Sequence, residues 1–269
     1  MIKPRVLIIS YYWPPSGGAG VQRWVKFVKY LRDFGWEPVV YIPQNPEYPS
    51  LDETFEKDIP RDLEVIKRPI WEPYSIYRKL TGKGDQPINA GFISENAAKG
   101  WKDTLSIRLR GNLLIPDPRC FWIRPSVRFL SGYLSTHPVQ AIVTTGPPHS
   151  MHRIGYGLKK RFPSLPWLAD FRDPWTNIDF YQELGLTRIS DAIHHRMERQ
   201  VIQTADAVVV VSGGMKHEYS ELKPRRLELI PNGYDTDDVQ AVEAEPDSQF
   251  TISHIGTMNA ARNPEVIWQ

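Results

Sequence analysis

The sequence predicts an α/β fold built on a Rossmann-like, doubly wound parallel sheet. Short apolar runs rich in β-branched residues alternate with segments of helical periodicity, and glycine- or proline-rich loops follow several of the runs. Runs of this kind are typical of strands buried on both faces of a parallel sheet. Hydrophobic residues make up 41% of the 269 residues and charged residues 24%, which is an ordinary globular composition.

The first βαβ unit carries the strongest pattern. Residues 5–9 form an apolar run, and a glycine-containing loop follows at residues 10–20. Apolar residues then recur at helical spacing as far as Leu31, and Gly35 stands where a glycine usually follows a helix. Residues 38–42 form the next strand. The order of strand, glycine loop, helix and strand opens a doubly wound sheet.

The alternation returns in the second half of the chain, after a proline-rich stretch in which only one short strand is predicted. We expect Ser150 to cap the helix that it precedes. The predicted strands are residues 65–68, 141–145, 167–171, 207–211 and 227–230. The predicted helices are residues 151–162, residues 190–204 and a helix after Ser212.

The domain organisation follows from a change in composition near residue 235. Residues 1–234 are predicted to form one domain, and the acidic residues 235–249 a solvated linker that includes the Asp-Thr-Asp pattern at 235–237. Residues 250–269 predict a new strand, a loop and the first part of a helix. These few residues cannot bury a core, so we expect them to begin a second domain.

Charge and cysteine content exclude several classes of protein. The net charge is +2, which does not favour a nucleic-acid-binding protein. Cys120 is the only cysteine, so no intrachain disulfide forms and a reducing compartment is favoured. The sequence has neither an apolar run of about 18 residues nor a signal-peptide pattern. We therefore expect a cytoplasmic protein that is soluble or peripheral to a membrane.

The loop before the first helix is the first candidate site, formed by Gly17, Gly18, Ala19 and Gly20 together with Arg23. Glycines here let a ligand approach the backbone, and a helix N-terminus favours negative charge, so a phosphate or a sugar carboxylate would suit the site. A tight turn without a ligand is the alternative. Binding of NAD is disfavoured, because Arg23 stands where the fingerprint needs its third glycine and no acidic residue follows the second strand.

Two further candidate sites follow later strands. His149 would project from the carboxyl end of the sheet, where it could bond a hydroxyl or take its proton, or simply pack or cap a loop. Asp170 and Asp173 flank Arg172. These three side chains could bind sugar hydroxyls or position an acceptor, or they could form an internal ion pair that fixes the loop.

Residues 99–128 combine basic and aromatic side chains, with seven basic and two acidic residues. The stretch could be a surface for anionic lipids, a nucleic-acid patch, or a partly buried helix with a solvated face. No metal site is predicted. His194 and His195 are adjacent on a helix and face different directions, and His149 with His152 lacks a third ligand. Cys120 is expected to serve in packing.

Six segments together resemble the GT-B glycosyltransferases of the group 1 type (family four). Each motif is weak alone, but the six occur in the family's order and at plausible spacing. The resemblance is carried by residues 12–20 with Arg23, residues 146–150, 170–175, 205–212, 230–235 and 254–264.

The resemblance implies two Rossmann-like domains, of which the N-terminal one binds the acceptor and the C-terminal one a nucleotide-sugar. It also implies transfer with retention of configuration and no bound metal or other cofactor. His149 matches the family histidine near the transferred sugar, and residues 17–20 would approach the donor phosphates and the acceptor. Gly256 and Arg262 would then lie in the donor site. Family members with lipid-linked acceptors dock at the membrane through a basic and aromatic surface, which fits residues 99–128.

The family's donor-binding Glu-x7-Glu element would lie beyond Gln269. We therefore expect this chain to be mainly the acceptor half of a glycosyltransferase, with little activity alone. One rival is a non-catalytic module that recognises an acceptor or a membrane. Another is a Rossmann-type oxidoreductase, which the incomplete NAD fingerprint disfavours.

Overall fold

The computed structural model describes residues 3–48, 50–73, 101–238, 247–255 and 263–268. Within these ranges seven strands form one parallel sheet in the order β3-β2-β1-β4-β5-β6-β7. The strands are β1 (Arg5–Ile9), β2 (Glu37–Pro43), β3 (Glu64–Arg68), β4 (Ala141–Gly146), β5 (Trp167–Phe171), β6 (Ala207–Val210) and β7 (Leu227–Leu229). The direction of winding reverses between β1 and β4, so the predicted doubly wound sheet is confirmed.

Helices cover both faces of the sheet. They are α1 (Ala19–Leu31), α2 (Trp101–Leu113), α3 (Cys120–Thr136), α4 (Ser150–Arg161), α5 (Arg188–Thr204) and α6 (Gly213–Ser220). One hydrophobic cluster joins α1 to one face of β1 and β2, and a larger cluster joins α3, α4 and α5 to the other face. Neighbouring strand residues divide between the clusters, as Leu7 and Ile8 do, because successive side chains point to opposite faces.

The C-terminus of α1 confirms the role predicted for Gly35. Its φ is +79°, a left-handed conformation that glycine adopts without strain. The Gly35 N–H donates to the Arg32 carbonyl at 3.2 Å, and the Trp36 N–H donates to the Leu31 carbonyl at 3.0 Å. This pair of bonds is the Schellman arrangement, which turns the chain from α1 towards β2.

The predicted strand at residues 250–255 is wrong, because residues 251–255 have no regular structure and their side chains are exposed. A strand needs a neighbouring strand to take its hydrogen bonds, and the described residues provide none there. Further along, Glu265–Ile267 forms a single 3₁₀ turn.

The solvated linker predicted at residue 235 is also wrong at its start. Asp235 is only 6% exposed, and its Oδ2 lies 2.8 Å from Lys26 Nζ and 2.9 Å from Lys29 Nζ. Asp237 pairs with Lys29 at 2.7 Å while staying largely exposed. The acidic residues therefore dock this segment on α1, because the two lysines on one face of that helix compensate their charge.

Candidate functional site

The candidate site lies at the carboxyl edge of the sheet, where the loops after β1, β4 and β5 meet. Loops at this edge, beside the reversal in strand order, are where open α/β sheets bind ligands. Arg172 joins the three loops. Its Nε donates to Thr145 Oγ1 at 3.1 Å, a second nitrogen donates to the Pro147 carbonyl, and its guanidinium packs against Gly20.

The three glycines of the first loop have different surroundings. A Cβ on Gly17 would lie 2.9 Å from Ser50 Oγ, and a Cβ on Gly20 would lie 1.4 Å from the Arg172 guanidinium. Gly18 precedes α1 with φ +105°, and no atom of the described residues lies within 4 Å of its missing Cβ. Protein atoms therefore occupy the space beside Gly17 and Gly20, whereas Gly18 presents a backbone that no described residue covers.

Helix α1 begins at Ala19, and no side chain of the described residues caps its N-terminus. Its first turn also carries no acidic residue. The free N–H groups and the helix dipole leave partial positive charge at this end of α1. An anion is the ligand that this charge favours.

Arg23 and Asp170 form a buried ion pair. Arg23 Nη2 lies 2.9 Å from Asp170 Oδ1, and the exposures of the two residues are 6% and 1%. The other carboxylate oxygen accepts from Trp24 Nε1 at 2.7 Å and from Thr145 Oγ1 at 3.0 Å. Asp170 is thus in an ion pair, but its partner is Arg23 of α1. The predicted internal pair with its neighbour Arg172 is wrong, because the Arg172 guanidinium bonds Thr145 and the Pro147 carbonyl instead. A ligand-binding role for Arg23 or Asp170 stays a prediction.

Arg23 also ties the end of the domain to α1. Its Nη1 donates to the Pro231 carbonyl at 3.0 Å and to Asn232 Oδ1 at 3.2 Å. A guanidinium can satisfy several acceptors at once because its N–H groups form a rigid planar fork. Residues 231–232 are therefore fixed relative to the site.

His149 is buried against the loop after β5. Its imidazole stacks on the Trp175 indole with ring centroids 4.6 Å apart and an interplanar angle of 2°. Burial lowers the pKa of His149 to about 3, and the charges of Arg172 and His194 act in the same direction, while the Pro174 backbone opposes them. His149 is thus neutral near pH 7, and its Nδ1 has no hydrogen-bond partner among the described residues.

The N-terminus of α4 is capped by Asp117 and not by the predicted Ser150. Asp117 Oδ2 accepts from the Ser150 N–H at 2.8 Å, and its Oδ1 accepts from Ser150 Oγ at the same distance. Asp117 lies in the connection between α2 and α3, 33 residues earlier in the chain. Sequence patterns detect local caps, so a cap that is distant in sequence escaped them.

The remaining predicted site residues divide between the rim of the site and undescribed parts of the chain. Asp173 is exposed at the rim. Gly256 and Arg262 lie outside the described residues. Within the described ranges no group of three His, Cys, Asp or Glu residues is arranged to hold a metal. His194 is 4% exposed while the His195 side chain is 53% exposed, as predicted for adjacent helical positions.

Sequence reasoning missed a second buried charge cluster beside the first loop. Arg119 Nε lies 3.0 Å from Glu72 Oε1, and both side chains are buried. The Tyr11 hydroxyl donates to the Glu72 carboxylate at 2.8 Å and accepts from Arg119 Nη2 at 3.2 Å. Burial raises the pKa of Glu72. Only long-range pairing brings these three residues together, so no local signal identified them.

The basic and aromatic stretch at 99–128 contains both buried and exposed aromatic side chains. Trp122 is buried, stacks on Tyr41 and donates to the Pro69 carbonyl at 3.1 Å. Phe121 is 47% exposed and packs edge-on against exposed Trp71. The partly buried helix with a solvated face is therefore confirmed for α3. No helix of the described ranges combines the length and the apolar character needed to cross a membrane.

The sheet order and the loops at its carboxyl edge define a Rossmann-like domain. A sequence model of the family described as Glycosyltransferase Family 4 matches residues 96–238, which is more than half of the chain. The chain belongs to this family, and the resemblance seen in its motifs is confirmed. No curated protein matches the chain.

Solved glycosyltransferase structures are similar in fold. UGT71G1 from Medicago truncatula, complexed with UDP-glucose, matches 99% of this chain and 56% of its own, with a TM-score of 0.50 and 8% identity. Phytolacca americana UGT2, complexed with UDP-2fluoro-glucose and pterostilbene, matches 88% of this chain and 56% of its own, with a TM-score of 0.47 and 12% identity. Sucrose-phosphate synthase from Thermosynechococcus elongatus matches 87% of this chain and 49% of its own, with a TM-score of 0.47 and 13% identity. The chain thus spans about half the length of these proteins.

Proposed function

We propose that this chain supplies the acceptor half of a retaining glycosyltransferase. The reaction moves a sugar from a nucleotide-sugar to a glycan or lipid-linked acceptor, in the cytoplasm or at the inner face of a membrane. One observation carries the proposal: in a chain of Glycosyltransferase Family 4, an open glycine at the start of α1 and a neutral histidine at the start of α4 follow two paired strands at the same edge of the sheet.

Gly18 and Arg172 are the groups that we propose for the anionic part of the substrate. The open backbone at Gly18 precedes the uncapped N-terminus of α1, and the Arg172 guanidinium packs against the same turn. Arg172 forms no ion pair within 4 Å in the described part of the chain. A phosphate or a sugar carboxylate would receive hydrogen bonds and compensate the positive charge.

His149 is the residue that we propose to contact the transferred sugar. A neutral imidazole can donate one hydrogen bond and accept another, which suits a sugar hydroxyl. Its depressed pKa keeps it neutral at physiological pH, so it would not act there as a fixed cation. Asp173 at the rim would meet the acceptor, while Arg23 and Asp170 would hold the loops in place. By resemblance, Gly256 and Arg262 would contact the donor.

Nucleotide binding separates this proposal from a module that only recognises an acceptor. UDP and GDP would be titrated against the chain, and against any longer product of the same reading frame, while thermal unfolding is followed. A ligand at 100 times its Kd stabilises the folded state by about 2.7 kcal/mol. Stabilisation by one nucleotide, with none by NADH, supports the transferase. Stabilisation by NADH alone would favour the oxidoreductase.

We expect the transfer to proceed without a bound metal, as the family resemblance implies. The test is to assay sugar transfer before and after treatment with EDTA. Unchanged turnover supports the expectation. A loss that added Mg²⁺ or Mn²⁺ restores would overturn it.

Phe121 and Trp71 form the surface that we propose for membrane contact. They are exposed, touch each other, and lie near the exposed Arg124 on the following turn of α3. Aromatic rings with neighbouring cations suit the interface of an anionic membrane. Sedimentation with vesicles of phosphatidylglycerol should therefore be weaker for F121A than for F34A, a matched change at an exposed phenylalanine that follows α1. Equal sedimentation of the two variants would overturn this surface.

A further inference from the structure

The Trp175 side chain is the flat partner of His149. The two rings are parallel to within 2°. The rings of Phe171 and His152 are inclined to the imidazole by 32° and 31°, with ring centroids nearly 6 Å away. Histidines that act on a substrate usually have their ring orientation set by a hydrogen bond at the second nitrogen. His149 Nδ1 has no such bond within the described ranges. The imidazole is instead hydrogen-bonded by the backbone of Pro174, and its face stacks on the Trp175 indole. These two adjacent residues of one loop therefore hold the orientation of the ring.

Trp175 is itself held from two directions. Its indole N–H donates to His194 Nδ1 at 3.1 Å, and its backbone N–H donates to the Tyr219 hydroxyl at 3.2 Å. Trp175 is 3% exposed, and His194 and Tyr219 are buried as well. Helices α5 and α6 thus fix both the ring and the backbone of this residue.

The residue that follows Trp175 is fixed by the same helices. Glu198 of α5 accepts from the Thr176 hydroxyl at 2.6 Å and from the Tyr219 hydroxyl at 3.2 Å. Burial raises the pKa of Glu198, while these hydrogen bonds oppose the shift. The loop after β5 is therefore attached to α5 and α6 by buried hydrogen bonds on both sides of the indole.

We propose that Trp175 is a positioning residue that sets the plane of the His149 imidazole for sugar transfer. The inference rests on the proposed function, in which His149 contacts the transferred sugar. A ring held by packing reaches the productive geometry without an ordering step, and a displacement of about 1 Å can cost about 100-fold in rate. The indole supplies the flat surface, and the hydrogen bond to His194 stops the indole from turning.

A double-mutant cycle tests whether Trp175 acts through His149. The variants are W175L, H149A and the double variant, with W175F as the conservative change that keeps a flat ring. We expect W175L to lower kcat by about 10- to 100-fold with little change in KM, and W175F to restore most of the loss. In the H149A background W175L should have no further effect on kcat. An equal effect of W175L in both backgrounds, or an unchanged kcat, would overturn the proposal.

An NMR titration tests the positioning without any assay of activity. In the wild type the His149 ring signals should not titrate between pH 8 and pH 5, since its pKa is about 3. W175L should move this pKa towards 6.5, while W36L, a change at the opposite edge of the sheet, should leave it unaltered. An unmoved His149 signal in W175L would overturn the proposal. Full activity of H149A would instead overturn the proposed function, and the titration would still decide the positioning.

Discussion

Asp170 lies near the end of β5 and His149 follows the neighbouring β4, and the protein buries the two side chains in opposite ways. Asp170 is surrounded by donors, since Arg23, Trp24 and Thr145 all bond its carboxylate. His149 is surrounded by rings and is kept neutral by burial. A buried charge needs a compensating partner, whereas a buried imidazole can give up its proton. The first arrangement fixes loops, and the second leaves a buried imidazole nitrogen without a hydrogen-bond partner among the described residues.

The largest effect is expected at the ion pair. The change Asp170→Asn keeps the shape of the side chain but leaves the buried Arg23 charge without its partner. Breaking a buried pair in this way destabilises a protein by about 3–5 kcal/mol. Urea denaturation measures the loss. The control D173N, at the exposed rim, should stay within about 0.5 kcal/mol of the wild type. A similarly small loss for D170N would show that the charge of Asp170 does not contribute to the stability of the folded protein.

The packing beneath His149 gives the next largest effect. A Cβ on Gly155 of α4 would lie 2.4 Å from Trp167 Nε1, whose N–H donates to Thr144 Oγ1. Gly155→Ala should therefore cost about 1–2 kcal/mol net, because overpacking exceeds the gain in helix propensity. Gly132→Ala is the matched control in α3, where no described atom lies within 4 Å of the missing Cβ. It should stabilise the protein by up to about 1 kcal/mol in the same urea measurement. If both variants were stabilised, the packing of α4 on β5 would be looser than described.

The pH dependence of the free energy of unfolding is a smaller effect, and it distinguishes the neutral His149 from the charged Asp170. His149 has a pKa of about 3 when folded and about 6.5 when unfolded, so between these values the unfolded chain binds the extra proton. Stability is therefore lost as the pH falls from 7 towards 3. From pH 7 to pH 5.5 one such histidine accounts for about 1 kcal/mol. H149Q should lose about that much less than the wild type when urea denaturation is measured at both values. Identical losses would mean that His149 is not buried neutral.

The smallest difference is expected where the acidic segment docks on α1. Asp235 is buried and bonds Lys26, Lys29 and Tyr30, whereas Asp237 meets Lys29 at the surface. Asp235→Asn should lower the thermal midpoint measurably, and Asp237→Asn should leave it nearly unchanged because water screens an exposed pair. Thermal unfolding at low salt compares the two. A reversed order would show that the segment is held elsewhere.

The sequence was sufficient to predict the strands and most helices, because apolar runs and helical spacing are local signals. Residues 5–9 and 167–171 were predicted at the bounds that the structure has. The partners inside the site were not predicted, since Arg23 and Asp170 are 147 positions apart in the chain. The apolar run after Phe250 looked like a strand, but an apolar run forms a strand only beside another strand.

Sugar transfer by the wild type and by H149Q tests the central claim most directly. Purified protein, as this chain and as any longer product of the same reading frame, would be given labelled UDP- and GDP-sugars with extracted lipid and glycan acceptors. We expect one nucleotide-sugar to support transfer with retained configuration, and H149Q to lose at least about 100-fold of it while it remains folded. Undiminished transfer by H149Q, or no transfer from any donor by either product, would contradict the account.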